Sequence, residues 1–272
     1  MIATIATNFS LSDEISDSYR FKSKQKQLYF YESKEPFEKE NPALEKHYKE
    51  GHFIGVKPSS FKPQALFLDM DSTSIKEESL DHLIEILKFE KEDHRQITEE
   101  AMQGNISFTE AYHERMKLLE GLPEGTFNEV LPQLTFQPGI KDLCEWFRKK
   151  NLPVFLVSGG LSHFCEFVAH SLGALEWHGN HPEVKQGKLT GHTVGTLVDT
   201  LEKKTWHENM CKKYKINPKE TIMIGDGAND REIMSACGLS IGFHPKKVLY
   251  PYLNVYNASK DHSIIIDFLE ED

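Results

Sequence analysis

The sequence predicts an α/β fold, a doubly wound parallel sheet with a helical insertion. Three observations carry this. Short apolar runs of strand length recur at Ala65–Leu68, Pro153–Val157, Thr221–Ile224 and Leu239–Ile241. Segments with apolar residues at helical spacing alternate with them, as strand–helix units do. Three of the runs end directly in turns rich in Asp, Ser, Gly and Asn, and ligands of open α/β sheets bind beyond the carboxyl ends of strands.

Taken in order, residues 1–62 are the least regular. A strand is expected at 27–31. A charged stretch follows at 32–50, interrupted by Pro36 and Pro42, and Pro58, Ser59, Ser60 and Pro63 read as a linker. Residues 65–68 are apolar throughout, the pattern of a strand buried on both faces. Leu80, Leu83, Ile84 and Leu87 mark a helix, which Ile97, Ala101 and Met102 continue until Gly104-Asn105. A second stripe runs from Phe108 through Tyr112 and Arg115 to Leu119, and Phe127, Val130, Leu131 and Leu134 mark a short third helix. The helical block covers residues 77–135. Strand and helix then alternate: a helix with Ile140, Leu143 and Phe147, the strand 153–157, a helix over 162–172 closed by Gly173, and a hairpin or flap at 188–198. A helix over 201–214, the strand 221–224, another helix, strands at 239–241 and 253–256, and a terminal helix complete the pattern. The expected division is an appendage at 1–62, an α/β core at 63–76 with 136–272, and a helical insertion at 77–135.

The 272 residues suit one large domain or a core with a smaller one. With 42 acidic against 32 basic residues and a formal net charge of -10, the chain is a poor partner for nucleic acid. No apolar run approaches membrane-spanning length, and no basic-then-apolar leader opens the chain. The four cysteines form no paired spacing, and Cys144 and Cys165 sit on apolar helical faces as small hydrophobes. The expectation is a cytoplasmic protein with no membrane partner.

The chemistry concentrates at three strand ends: Asp69-Met-Asp71-Ser-Thr, Ser158-Gly159-Gly160, and Gly-Asp226-Gly-Ala-Asn229-Asp230. Read singly, each is compatible with turn and capping chemistry. A parallel sheet brings the three ends to one edge, and each feeds a helix whose first N–H groups favour an anion. Carboxylates crowded at the end of a buried strand persist best beside a cation. The sum is a phosphate-sized pocket with a divalent cation, and Mg2+ suits oxygen ligands shared with phosphate and water.

These motifs resemble the haloacid dehalogenase (HAD) superfamily of aspartate-nucleophile phosphatases, and within it the phosphoserine phosphatase family. The match runs from about Ala65 to Phe243, with a helical cap inserted where that family has one. The resemblance implies a Rossmann-like HAD core and Mg2+-dependent hydrolysis of a small phosphomonoester, O-phosphoserine, through an aspartyl-phosphate, the last step of serine biosynthesis. It implies Asp69 as nucleophile and Asp71 as acid and then base, with Lys203 and Ser158 stabilising the phosphoryl oxygens. Metal would be held by Asp69, Asp226 and the Asp71 carbonyl, with Asp230 in the outer shell and Asn229 and Gly159 at the phosphate. Lys204 is the alternative to Lys203, since the two are adjacent. Glu78 would grip the substrate ammonium and Arg115 its carboxylate, a chemical match for both groups, and Met102 and Phe108 would close over it. The sequence departs from the family at Leu161, at 177–181 and at 244–248. His178, His181 and His192 lack ligand spacing and read as surface residues. A small appended domain or a homodimer contact are both open for the first 60 residues. Hydrolysis of another phosphomonoester, phosphoryl transfer to an alcohol, and a receiver-like phosphoaccepting switch are the competing readings. Asp71 argues against the switch, because an acid/base beside the nucleophile speeds hydrolysis.

Overall fold

The computed structural model describes residues 3–8, 19–25, 28–33, 52–58, 60–87 and 108–270. The strands are β1 Ala3–Thr7, β2 Tyr19–Gln25, β3 Leu28–Ser33, β4 Phe53–Pro58, β5 Ala65–Leu68, β6 Val154–Leu161, β7 Glu176–Lys185, β8 Lys188–Val194, β9 Thr221–Gly225, β10 Leu239–Phe243 and β11 Val255–Asn257. The helices are α1 Ser79–Ile86, α2 Phe108–Lys117, α3 Phe127–Val130, α4 Ile140–Lys149, α5 Ser162–Leu172, α6 Thr200–Tyr214, α7 Arg231–Ala236 and α8 Ile264–Leu269.

The strands form one sheet in the order β2-β3-β1-β4-β11-β10-β9-β5-β6-β7-β8. Its centre is parallel: β5 lies between β6 and β9, with Leu66 opposite Val154 on one side and Ile222 on the other. Successive residues of these strands enter opposite cores, as the two-residue period of a strand requires. Leu66, Leu68, Val154, Leu156, Ile222 and Ile224 face the layer containing α4, α5 and α8. Ala65, Phe67, Phe155, Val157 and Met223 face α6 and α7. Phe67 stacks on Phe155 at 4.7 Å and meets Trp206 edge-on at 6.2 Å. Fully burying each such side chain contributes about 1.5–3 kcal/mol.

Two stretches differ from the sequence reading for identifiable reasons. β6 does not stop at Val157 but continues through Ser158-Gly159-Gly160 to Leu161, with a register shift against β7 between Val157 and Leu161. Such an irregularity bends a strand and re-aims its residues. The antiparallel strands β1, β2 and β4 were not read at all. β4 adds to the edge of the sheet by pairing antiparallel with β11, Val255 opposite Gly55, and β1 and β3 extend it. Gly55, Lys57 and Pro58 break its apolar pattern, and the first two answer to Phe268 at the far end of the sequence. A Cβ on Gly55 would lie 3.0 Å from the Phe268 ring. The buried Lys57 Nζ donates to the Phe268 carbonyl at 2.7 Å, tying β4 to α8. Most of the charged stretch 32–50, and Ile97, Ala101, Met102 and Gly104-Asn105, lie outside the described residues.

The helical insertion is stitched to the β7–β8 hairpin through backbone bonds, with Gly121 N–H donating to Leu189 O (2.8 Å) and Leu189 N–H to Leu122 O (2.8 Å). All four cysteines are buried and free. Among the described residues no helix is long and apolar enough to cross a membrane.

His262 is fully buried, stacks on Phe243 at 3.9 Å and donates from Nε2 to the Thr73 carbonyl at 2.9 Å. Burial pushes its pKa down to about 4, overcoming the carbonyl contact that favours the proton. The unfolded chain therefore binds more protons between about pH 4 and 6.5, and stability falls as pH drops through that window. His262→Gln removes this contribution. Denaturant melts are expected to show the wild type losing on the order of 1–2 kcal/mol more than the variant between pH 6.5 and 5.

Candidate active site

The site is assembled from the carboxyl ends of β5, β6 and β9 and the starts of the segments that follow. Asp69 leaves β5 with its N–H donating to Ile224 O on β9 (2.9 Å), and its own carbonyl accepts from Ser74 Oγ (2.6 Å). The chain then turns sharply, with Ser72 in the left-handed region at φ 56°. That turn presents Asp71 to the start of α1, where the Ser79 N–H and hydroxyl each donate to its carboxylate at 3.1 Å. Ser72 Oγ donates to Glu78 at 2.8 Å, which holds Glu78 over the same turn.

Lys203 comes from α6. Asp199 caps this helix, accepting from Leu201 and Glu202 N–H at 2.9 Å. A cation in a first helical turn is disfavoured by the helix dipole, so helix stability does not account for Lys203. It is fully buried, and its Nζ donates to Asp69 Oδ1 at 2.8 Å and Asp230 Oδ1 at 2.7 Å. Lys204 points elsewhere, 3.7 Å from Glu232.

Asp69, Asp226 and Asp230 are buried, and each offers an oxygen within 4.8 Å of the other two. Gly225 permits this approach, because a Cβ there would sit 2.1 Å from Asp230 Oδ2. The cluster carries more negative charge than its two lysines offset, Lys246 being 3.5 Å from Asp226. Burial and the Asp69 charge raise Asp226 to about 6, and the same two causes raise Asp230 to about 7. Burial lowers the Lys203 pKa, but Asp230 and Asp69 outweigh it and the net shift is upward, so the ammonium stays charged. Hard oxygen donors, close and under-neutralised, are the donor set of a divalent cation.

Asp71 differs from its neighbour. Burial first, then Glu78 and Asp69, push its pKa well above the usual carboxylate range. Ser158 Oγ accepts from the Gly160 N–H at 2.9 Å, and Asn180 clamps the bulged strand, donating to Gly159 O (2.7 Å) and accepting from Val198 N–H (2.8 Å).

These groups border one cavity of about 240 Å³. Asp69, Asp71, Glu78, Arg115, Ser158, Gly159, Asp226 and Asn229 all line it. Lys203 and Asp230 lie behind its wall. Phe108 opens α2, and Met102 lies outside the described residues. Sequence reasoning passed over Ser79, Asp81, Tyr112 and Lys246. Asp81 and Tyr112 each stand three positions from an assigned residue, Glu78 and Arg115, so helical spacing pointed to both. Lys246 follows the end of β10, the strand-end rule applied once more. His178 is not a free surface residue: its ring stacks on Trp206 at 5.7 Å and meets Glu202 at 3.3 Å.

Residues 66–235 match the haloacid dehalogenase-like hydrolase family. The chain belongs to this family. Its relatives there include phosphoserine phosphatases: that of Albidiferax ferrireducens is 36% identical over 203 residues, 72% of this chain and 84% of the relative. That of Archaeoglobus fulgidus is 36% identical over 68% of this chain, which spans about half (53%) of the relative's length. A solved phospho-aspartyl intermediate analogue of phosphoserine phosphatase superposes with a TM-score of 0.70 at 28% identity, over 77% of this chain and all (100%) of the other. A HAD-family hydrolase from Salmonella enterica serovar Typhi has the same fold over 100% of this chain and 99% of its own, with a TM-score of 0.87 at 20% identity.

Gly225→Ala is expected to displace the Asp230 carboxylate while leaving β9 buried. Divalent-cation affinity should fall about 10–100-fold with circular dichroism unchanged; unchanged affinity would show that Asp230 need not hold this position.

Proposed function

We propose that this chain is a Mg2+-dependent phosphoserine phosphatase working through a phosphoryl group on Asp69. One observation carries the reading: two carboxylates two residues apart, Asp69 paired with the buried Lys203 and Asp71 held by Ser79, face a cavity that also presents Glu78 and Arg115. Asp69 is paired with Lys203 at 2.8 Å, which fixes the carboxylate that would act as nucleophile. Asp71 is driven towards its protonated form and fixed by Ser79, as a general acid must be.

The steps balance as follows. An Asp69 oxygen attacks phosphorus in line, the bond to the serine oxygen breaks with its electron pair, and Asp71 gives that oxygen its proton. Water then attacks the aspartyl-phosphate, Asp71 takes the water's proton, and the Asp69 carboxylate is restored as phosphate leaves. Lys203 holds the attacking carboxylate in place, and Ser158 with Gly159 and Asn229, which line the cavity, would face the phosphoryl oxygens. Asp69, Asp226 and the Asp71 carbonyl would hold Mg2+, with Asp230 behind them; when bound, it offsets charge on the phosphoryl group. Glu78 matches the substrate ammonium and Arg115 its carboxylate. In this reading 63–76 and 136–272 form the core and 77–135 the cap that selects the substrate, and the reaction is the last step of serine biosynthesis in the cytoplasm.

A phosphate-release panel of phosphoserine, phosphothreonine and phosphoethanolamine, with and without Mg2+, tests this. Phosphoserine should be preferred, Mg2+ required, and Asp69→Asn inactive. Preference for a monoester without an amino-acid head group would replace the substrate but keep the reaction. Turnover by Asp69→Asn comparable to wild type would remove the mechanism.

Arg115→Ala should lower kcat/KM for phosphoserine by about 10–100-fold, the worth of a charged hydrogen bond, and leave a generic aryl phosphate nearly unaffected. Equal losses on both would dismiss the assigned contact.

A further inference from the structure

On the α2 side of the cavity lies a buried polar atom with no hydrogen-bond partner among the described residues. Tyr112 is 4% exposed and lines the cavity, and its hydroxyl is enclosed with no hydrogen-bond partner among the described residues. Arg115, one helical turn later on α2, lines the same cavity. Its Nε is likewise enclosed and unpartnered among the described residues, while its Nη1 reaches Asp81 Oδ1 at 3.6 Å. Burying a hydroxyl without a partner costs free energy, and phenylalanine would fill the same volume without that cost. Two unpartnered donors one turn apart on one helix face call for an acceptor between them, best an anionic and two-pronged one. Burial, with a smaller contribution from Cys165, holds the Tyr112 pKa above its ordinary value, so the hydroxyl remains a donor at any working pH.

We propose that Tyr112 is a specificity-determining residue whose hydroxyl donates to the substrate carboxylate alongside the Arg115 guanidinium. The inference rests on the phosphoserine reading above and adds the residue that helps separate carboxylate-bearing phosphomonoesters from those without one. A site built to hydrogen-bond a group discriminates strongly against analogues lacking it.

The test is Tyr112→Phe, assayed on phosphoserine and on phosphoethanolamine, which keeps the ammonium and lacks the carboxylate. KM for phosphoserine should rise about tenfold. Its kcat, and both constants for phosphoethanolamine, should stay within about twofold. The melting temperature of the unliganded variant should be equal to or above wild type, since an unsatisfied polar atom has been removed. Unchanged KM for phosphoserine overturns the proposal. So does an equal loss on both substrates, or a lowered melting temperature with parallel losses, either of which makes Tyr112 a packing residue. The wild-type rates separate the two levels. If wild type prefers phosphoserine and the variant matches it, only the Tyr112 role falls; if wild type shows no preference for the carboxylate, the substrate reading falls and this inference with it.

Discussion

Everything at the site depends on a single buried ammonium. Lys203 lies between Asp69 and Asp230 with no exposed surface and donates to both carboxylates. Removing one partner of a buried ion pair leaves an uncompensated charge, typically costing about 3–5 kcal/mol. The constraint reaches outward. α6 must begin where Asp199 caps it so that Lys203 falls in its first turn. Residue 225 must lack a side chain so that Asp230 can approach. β5, β9 and α6 must pack closely, which Phe67, Phe155, Met223 and Trp206 achieve. The core and the chemistry are thus one arrangement.

Two nearby aspartates meet different surroundings. Asp69 has Lys203 beside it. Asp71 has burial, Glu78 and Asp69 raising its pKa, and the Ser79 N–H and hydroxyl as its donors.

Much of this was legible in the sequence because the central strands are apolar without interruption and end abruptly in loaded turns. A run such as Ala65–Leu68 has no alternative burial pattern, and Asp69, Ser158 and Asp226 follow from where such runs stop. The edge of the sheet was not legible. β4 carries Gly55 and Lys57, whose reasons lie in the Phe268 ring and carbonyl some two hundred residues away, and no local pattern reports a long-range partner. Ser79 and Tyr112 were passed over for a related reason: a serine and a tyrosine on a helix are ordinary until their partners, or the lack of them, are known. The extension of β6 through Ser158-Gly159-Gly160 was hidden because paired glycines read as a turn, whereas here Asn180 holds them as bulged strand.

The central claim is that phosphoryl transfer passes through Asp69. Its most direct test is rapid acid quench of the enzyme turning over labelled phosphoserine, followed by peptide mapping. A hydroxylamine-labile phosphoryl group is expected on the peptide containing Asp69, and none in Asp69→Asn. Label on Ser158 or another side chain, or none at any time point in an enzyme that is turning over, would contradict it.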